Sequence, residues 1–356
     1  MNQLFGLFNK KTSTLVGVDI GSSAVKLVVL SRDKRDILLD SYAVVGLPPA
    51  VIVDGHIQEL GVVADAIEKG VKICGSKLNN AITSVPSSAV IIKHLDLSNA
   101  FSEAELEDQI KIEADQFIPY PLDEVAIDFE VQSVHPVNPD LNKILLVACR
   151  NNDVLQREAS VNSAGLKCDI VDVDTFAIER LLSFVNKDEL AGDELVASID
   201  IGASTMTLNV MHQGAIIYNR EQGFGSNELT NSIHVQCGMS VEEVEQSFRL
   251  NEISMEIEAM LIEPFRDTIV QQISRSLQFY YSSNVQNQLA KIYLSGGCSS
   301  IKGLVELLEE ELGIRVELTN PFTNMRVQAK INKDRLNKDA PVLVKACGLA
   351  LRFFDE

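Results

Sequence analysis

The sequence predicts an α/β protein made of two similar halves, with a small α+β domain inserted into the first. Three observations predict it. Residues 15–30 (LVGVDIGSSAVKLVVL) are two apolar runs joined by Asp19 and a Gly21-Ser22-Ser23 turn. Residues 196–211 (VASIDIGASTMTLNVM) repeat that pattern 181 positions later, about half of the 356-residue chain. Residues 291–308 add a strand, a Gly296-Gly297 turn and a helix. Duplication on this scale points to two like domains facing one another and not to a solenoid.

Taken in order, the opening stretch is a β-hairpin, from its β-branched content and the Gly-Ser break. Residues 37–45 read as a third strand, 59–73 as a helix with Leu60, Val63, Ala64, Ile67 and Val71 at helical spacing, and 80–86 as a strand. Residues 89–97 are a strand, and Ser102 with Glu105 forms a capping box for a helix to about 117, stopped before Pro119 and Pro121. Strands near 125–135 and 143–149 and a helix over 151–164 complete a block with its own α+β order. A strand at 168–173, an apolar helix at 175–185 and a charged linker at 186–194 lead to the second hairpin. After a strand at 214–221 the chain reads as helical from 226 to about 288, interrupted near Gly238 and Pro264. A strand at 314–318 and a final helix at 341–354 close it. The implied organisation is a first domain (1–86 and 168–190), an insertion (87–167), a second domain (191–225 and 291–340) with a helical subdomain (226–290), and a C-terminal helix (341–356) returning to the first domain.

Composition limits the function. The chain carries 31 Lys and Arg against 50 Asp and Glu, a formal charge of −19. That opposes non-specific binding to nucleic acid or an anionic membrane. No apolar run reaches the length of a membrane-spanning helix, so no direct insertion is expected. Lys10 and Lys11 follow the short apolar run at Leu4–Phe8 instead of preceding it, unlike a secretory leader, which predicts a cytoplasmic chain. The six cysteines and five histidines are scattered without metal-ligand spacing.

The polar groups of the three motifs carry the chemistry. Backbone N–H groups and hydroxyls in a tight turn make a concavity suited to phosphate oxygens. A carboxylate such as Asp19 beside that turn suits a metal-bound water, since Mg²⁺ keeps several waters and takes few protein carboxylates. Paired glycines let backbone pass close to a ligand.

Three further stretches are distinctive: Ser84-Val85-Pro86, the run from Glu113 to Pro119-Tyr120-Pro121 (EADQFIPYP), and Asp128-Phe129. With the motifs above, they give a chain that resembles the actin-like (ribonuclease H-like) ATPase superfamily, which includes actin, heat-shock chaperones, sugar kinases and FtsA. Within it, the resemblance is to the PilM family of type IV pilus assembly, over essentially the whole chain. The resemblance implies ATP and Mg²⁺ as cofactors. It places Asp19, Gly21, Ser22 and Ser23 in a first phosphate loop; Asp200, Gly202, Ser204 and Thr205 in a second; and Gly296, Gly297 and Lys302 in an adenosine loop. Asp19 and Asp200 would hold Mg²⁺ through water. Lys26 either faces the phosphates or is an ordinary strand lysine. Asp174 stands where the superfamily places the group that orients an attacking water, or is a neighbouring structural Asp. Glu245 stands where relatives place a Glu on the nucleotide's sugar, but the companion lysine is Phe248 here. The implied partner is the cytoplasmic N-terminal segment of PilN, an inner-membrane protein, held between the first domain and the insertion, with no nucleic acid. The implied role is an ATP-binding scaffold of pilus biogenesis, a weak ATPase at most. A small-molecule kinase and an FtsA-like cytoskeletal protein are the alternatives on the same fold.

Overall fold

An unbroken apolar run belongs in the middle of a sheet covered on both faces. β1 (Leu15–Ile20) is such a run, buried along its whole length. In the computed structural model, which describes residues 15–33, 36–75, 78–190, 192–250, 252–283 and 288–354, it lies inside a six-stranded sheet. The apolar piece at Leu4–Phe8 lies outside these residues. β1 turns into antiparallel β2 (Ala24–Asp33), placing Asp19 opposite Lys26, and β3 (Asp36–Gly46) follows antiparallel. A minimal hairpin, β4 (Ile52–Val53) and β5 (His56–Ile57), leads to α1 (Leu60–Cys74). β6 (Asn80–Val85) then pairs parallel with β1.

The insertion follows. β7 (Val90–Ser98), α2 (Glu103–Asp115), β8 (Val125–Val134) and β9 (Leu141–Arg150) form a three-stranded sheet in the order β7-β9-β8, with α2 on one face. The capping box of α2 is present, Ser102 and Glu105 satisfying each other's backbone N–H groups. Leu106, Ile110 and Ala114 pack on Ile144 and Leu146 to give this block its own core. α3 (Asn151–Ser163) departs from expectation. The sequence groups it with the insertion, yet Val161 of this helix joins the core of the first sheet with Val16, Val18 and Ile67. β10 (Lys167–Val173) pairs parallel with β6 at the sheet edge, and α4 (Asp174–Val185) follows. The predicted linker contains a single turn, α5 (Lys187–Leu190), anchored by buried Leu190.

The second half repeats the first. β11 (Leu195–Ile201), β12 (Thr205–His212) and β13 (Ala215–Gly223) form an antiparallel meander. Asp200 pairs opposite Thr207, the register that Asp19 and Lys26 have in the first hairpin. The helical stretch comprises α6 (Ser226–Cys237), α7 (Val241–Leu250), α8 (Met255–Ile257) and α9 (Glu263–Ser283). The expected break at Pro264 is absent. A π-helical turn over Glu258–Ile262, where the Glu263 N–H reaches back to the Glu258 carbonyl, widens the helix just where a proline would clash with the preceding turn. The interruption falls before Met255 instead, with Ser254 as the N-cap. β14 (Leu289–Ser295) and β15 (Arg315–Leu318) extend the second sheet in parallel, with α10 (Leu304–Leu312) between them.

The chain then crosses back earlier than the sequence suggests. β16 (Arg326–Val327) pairs with β3, and Phe322, Met325 and Leu336 enter a core with Val28, Leu30 and Leu39. α11 (Lys333–Asp339) leads into α12 (Val344–Leu351), which packs between β1 and α4. A Cβ on Gly17 would come within 2.0 Å of the Ala346 carbonyl oxygen, and one on Gly348 within 1.9 Å of that of Ala177. No described helix is long and apolar enough to cross a membrane.

Because backbone and not a flexible side chain meets the added atom, Gly348→Ala is expected to cost about 3 kcal/mol or more. Urea unfolding should show a lower midpoint with an unchanged slope.

Candidate functional site

The two hairpin turns have the same construction. The Gly21 N–H donates to the Ala24 carbonyl at 3.1 Å, and the Gly202 N–H to that of Thr205 at 2.9 Å. They face each other, and the Ser204 hydroxyl donates to that of Ser22 at 2.8 Å. The end of β14 closes a third side. There Gly296 has φ +89°, and a Cβ on it would lie 2.3 Å from the Ile201 carbonyl oxygen, so only glycine fits. Its N–H donates to the Pro341 carbonyl at 2.9 Å, tying the turn to the C-terminal element.

Between these turns lies a cavity of about 250 Å³. Asp19, Gly21, Ser22, Ser23 and Lys26 line it from the first hairpin; Asp200, Gly202 and Thr205 from the second; Gly296 and Gly297 from the third side. Ser204 adjoins it through Ser22. Lys26 does face the cavity, with its Nζ 3.0 Å from Asp19 Oδ2. Lys302 is not brought there. It is exposed on the turn before α10, where its carbonyl accepts from Arg266 at 2.6 Å. α10 itself starts only at Leu304, so the turn after Gly296 is a short 3₁₀ segment over Gly297–Ser300. Glu245 lies on α7, with its side chain outside the described set; Phe248 is half-exposed on the same helix.

A cation absent from the expected site dominates the electrostatics. Lys345, in the first turn of α12, lines the cavity with its Nζ 3.0 Å from Asp200 Oδ2 and 3.4 Å from Asp174 Oδ2. Burial alone would push its ammonium toward the neutral amine, but the carboxylates of Asp200, Asp174 and Asp19 outweigh that and hold it well above the usual lysine range. Burial likewise pushes the Asp200 carboxyl up. The Lys345 charge and the Ser295 hydroxyl, donating at 2.8 Å, overcome it and hold the carboxyl below its usual range. Asp174 accepts from the Ser87 N–H at 2.9 Å and is not among the groups lining the cavity. Behind the first turn, buried Arg157 donates to the Ile20 and Gly55 carbonyls at 2.8 and 2.7 Å. Lys345 is the sole charged residue of the run Pro341–Leu351 (PVLVKACGLAL), a signal legible in the sequence. Arg157 sits in a polar helix and gives no such signal.

Two sheets of matched hairpin register, with their Asp-x-Gly turns opposed across a glycine-edged polar cleft, define an actin-like α/β protein. The chain belongs to the family of type IV pilus assembly protein PilM, whose model matches residues 17–354. It is similar to a chain of the solved PilM-PilN type IV pilus biogenesis complex, with TM-score 0.80 and 25% identity over 96% of this chain and 99% of that one. It shares its fold with ethanolamine utilization protein EutJ from Carboxydothermus hydrogenoformans, with TM-score 0.56 and 17% identity over 97% of this chain and 91% of that one. By sequence it is 22% identical over 360 residues to the cell division protein FtsA of Pseudomonas aeruginosa, covering 87% of this chain and 83% of that protein.

The depressed Asp200 carboxyl fixes the sign of a pH effect. The unfolded state binds the proton more tightly, so the stabilisation from Asp200 is full above the unfolded carboxylate pKa of about 4 and is lost as pH falls through the lower folded value. The stability difference between wild type and Asp200→Asn, measured by urea unfolding from about pH 7 to pH 3, should therefore hold steady down to about pH 4 and begin to shrink below it.

Proposed function

We propose that this protein is an ATP-binding actin-like scaffold of type IV pilus assembly that holds the cytoplasmic N-terminal segment of a PilN-type inner-membrane partner. The observation that carries the nucleotide reading is the pair of opposed Asp-x-Gly turns, joined by the Ser22–Ser204 hydrogen bond. The residues present fit a polyphosphate. Two glycine turns bring backbone to the cavity edge, and Lys26 and Lys345 supply positive charge within it. At about 250 Å³ the cavity is below the range of about 300–1,000 Å³ usual for ligand pockets. Nucleotide entry therefore parts the two turns, and bound phosphates replace the serine contact with a tighter link between the halves. Bound ATP supplies negative charge gripped from both sides; Asp174, already engaged, is not assigned hydrolysis.

The partner reading is supported by a second concavity, an open groove of about 1560 Å³ between the insertion and the first sheet. Both strands beside it, β8 and β10, are sheet edges. An unpaired edge accepts an extended peptide through main-chain hydrogen bonds, and side-chain pockets add specificity. Leu145, Val171 and Phe176 give the groove apolar footholds, and Arg180 and Arg352 give it charge. A relative of similar fold forms a complex with PilN. Association with the inner membrane then runs through that partner.

Two outcomes are expected. Gly297 lines the cavity with open space where a Cβ would go, so Gly297→Asp should fold normally. It should weaken binding of a fluorescent ATP analogue at least about tenfold by setting a carboxylate against the phosphates. Unchanged binding would remove the cleft as the nucleotide site. For the groove, a labelled synthetic peptide of the PilN N-terminal segment should bind by fluorescence anisotropy, and Leu145→Ala should weaken it about tenfold. A peptide that never binds would remove the partner reading.

A further inference from the structure

A protein-held divalent ion does not fit the donor set of this cleft. Each carboxylate expected to hold Mg²⁺ is engaged by an ammonium: Asp19 by Lys26 and Asp200 by Lys345. Among the described residues there is also no group of three His, Cys, Asp or Glu side chains able to hold a metal ion.

We propose that Lys345 is a tethered counter-cation standing where a divalent ion would otherwise bridge the cleft, and that nucleoside polyphosphates bind this chain without a divalent metal. This rests on the nucleotide reading of the cleft. The geometry is that of a bridging cation. One ammonium contacts Asp174, at the start of α4 beside the first sheet, and Asp200, at the end of β11 in the second. An ammonium has three N–H donors. Its Nζ lies 3.0 Å from Asp200 Oδ2 and 3.4 Å from Asp174 Oδ2, and Lys345 lines the cavity, so the ammonium keeps donor capacity for phosphates that enter it. Its position is fixed by backbone. α12 packs directly on the backbones of β1 at Gly17 and α4 at Gly348, with no room for a Cβ, and this contact places the lysine stem.

The charge balance gives the same result. Asp19, Asp174 and Asp200 contribute three negative charges, and Lys26 and Lys345 two positive ones. A dication placed on Asp200 would stand next to an ammonium, or would displace it and leave a buried cation with less compensation. Mg²⁺ also dehydrates reluctantly and wants octahedral oxygen ligands, which carboxylates already shared with ammonium groups do not offer.

The test compares ATP binding to the full-length protein by calorimetry in Mg²⁺ and in EDTA, alongside a nucleotide-free Mn²⁺ titration read by electron paramagnetic resonance. Wild type should bind ATP with affinities within about threefold in the two buffers and take up no Mn²⁺. Lys345→Met should lose about ten- to a hundredfold in EDTA, the worth of a charged hydrogen bond, and recover with Mg²⁺. It should also gain one Mn²⁺ site that is abolished by adding Asp200→Asn. Wild-type binding that collapses on chelation overturns the inference, as does a Lys345→Met protein that still binds ATP without metal. If no form binds ATP in either buffer, the nucleotide reading fails, and the Mn²⁺ titration decides the role of Lys345: a site gained in Lys345→Met supports it, none overturns it. Should Lys345→Met fail to fold, the wild-type comparison decides, and Lys345→Arg should retain metal-independent binding.

Discussion

The backbone of α12 lies against that of β1 and α4 with no space for a single added carbon at Gly17 or Gly348. The rest of the cleft depends on that contact. Gly17 is two residues before Asp19 in β1; Ala177, which faces Gly348, is three residues after Asp174 in α4; Lys345 is one residue before Ala346, which faces Gly17. One close approach of three backbones thus sets the positions of two carboxylates and the cation between them. Charges placed this way need little side-chain ordering when a ligand arrives, which lowers the entropic cost of binding.

Local placement matters because the chain as a whole is hostile to polyanions. Its formal charge is −19. At physiological ionic strength, however, charges beyond about 8 Å are largely screened, so an anion in the cleft responds mainly to its immediate neighbours. Those include Lys26, Lys345 and, behind the first turn, Arg157, whose own charge is opposed by burial and supported by Asp19, Asp174 and Asp153. An acidic surface that discourages nucleic acid is therefore compatible with a cleft that accepts phosphate.

What the sequence revealed and what it concealed divide along a physical line. Hairpins, caps and tight turns are local. The Asp19 and Asp200 turns, the Ser102–Glu105 box and the Gly296 corner were all legible, because the residues that make them are neighbours in the chain. The features that were not legible depend on which surface an element finally covers. α3 looked like part of the insertion because it follows β9, but Val161 chooses the core beside α1. β16 is too short to announce itself, and its pairing with β3 spans most of the chain. Pro264 signals a break by its chemistry, and only the π turn before it removes the clash. Lys345 was visible as a lone charge in an apolar helix, but its meaning required Asp174 and Asp200 to be seen on either side of it.

The cleft and the groove share two helices, which connect the two sites physically. α4 begins at Asp174, which contacts Lys345 beside the cleft, and carries Arg180 to the groove, where its guanidinium pairs with Asp172 at 3.2 Å. α12 begins beside Lys345 in the cleft and runs on to Arg352, which approaches the same carboxylate at 3.7 Å. Midway, Arg180 donates to the Gly348 carbonyl at 3.2 Å, so the helices are fastened to each other and not merely packed. The second sheet enters this assembly through Asp200 at the polar end and through Val196, Met211 and Tyr293 in the shared core. A ligand whose phosphates draw the Lys345 ammonium away from Asp200 acts on α12, which carries that lysine and leads on to Arg352 at the groove. Linkage then requires that a peptide seated in the groove alter nucleotide affinity by the same factor that nucleotide alters its own. The size of that factor depends on how differently each ligand contacts the two arrangements, and in the proposed nucleotide site that difference is concentrated in one ammonium group.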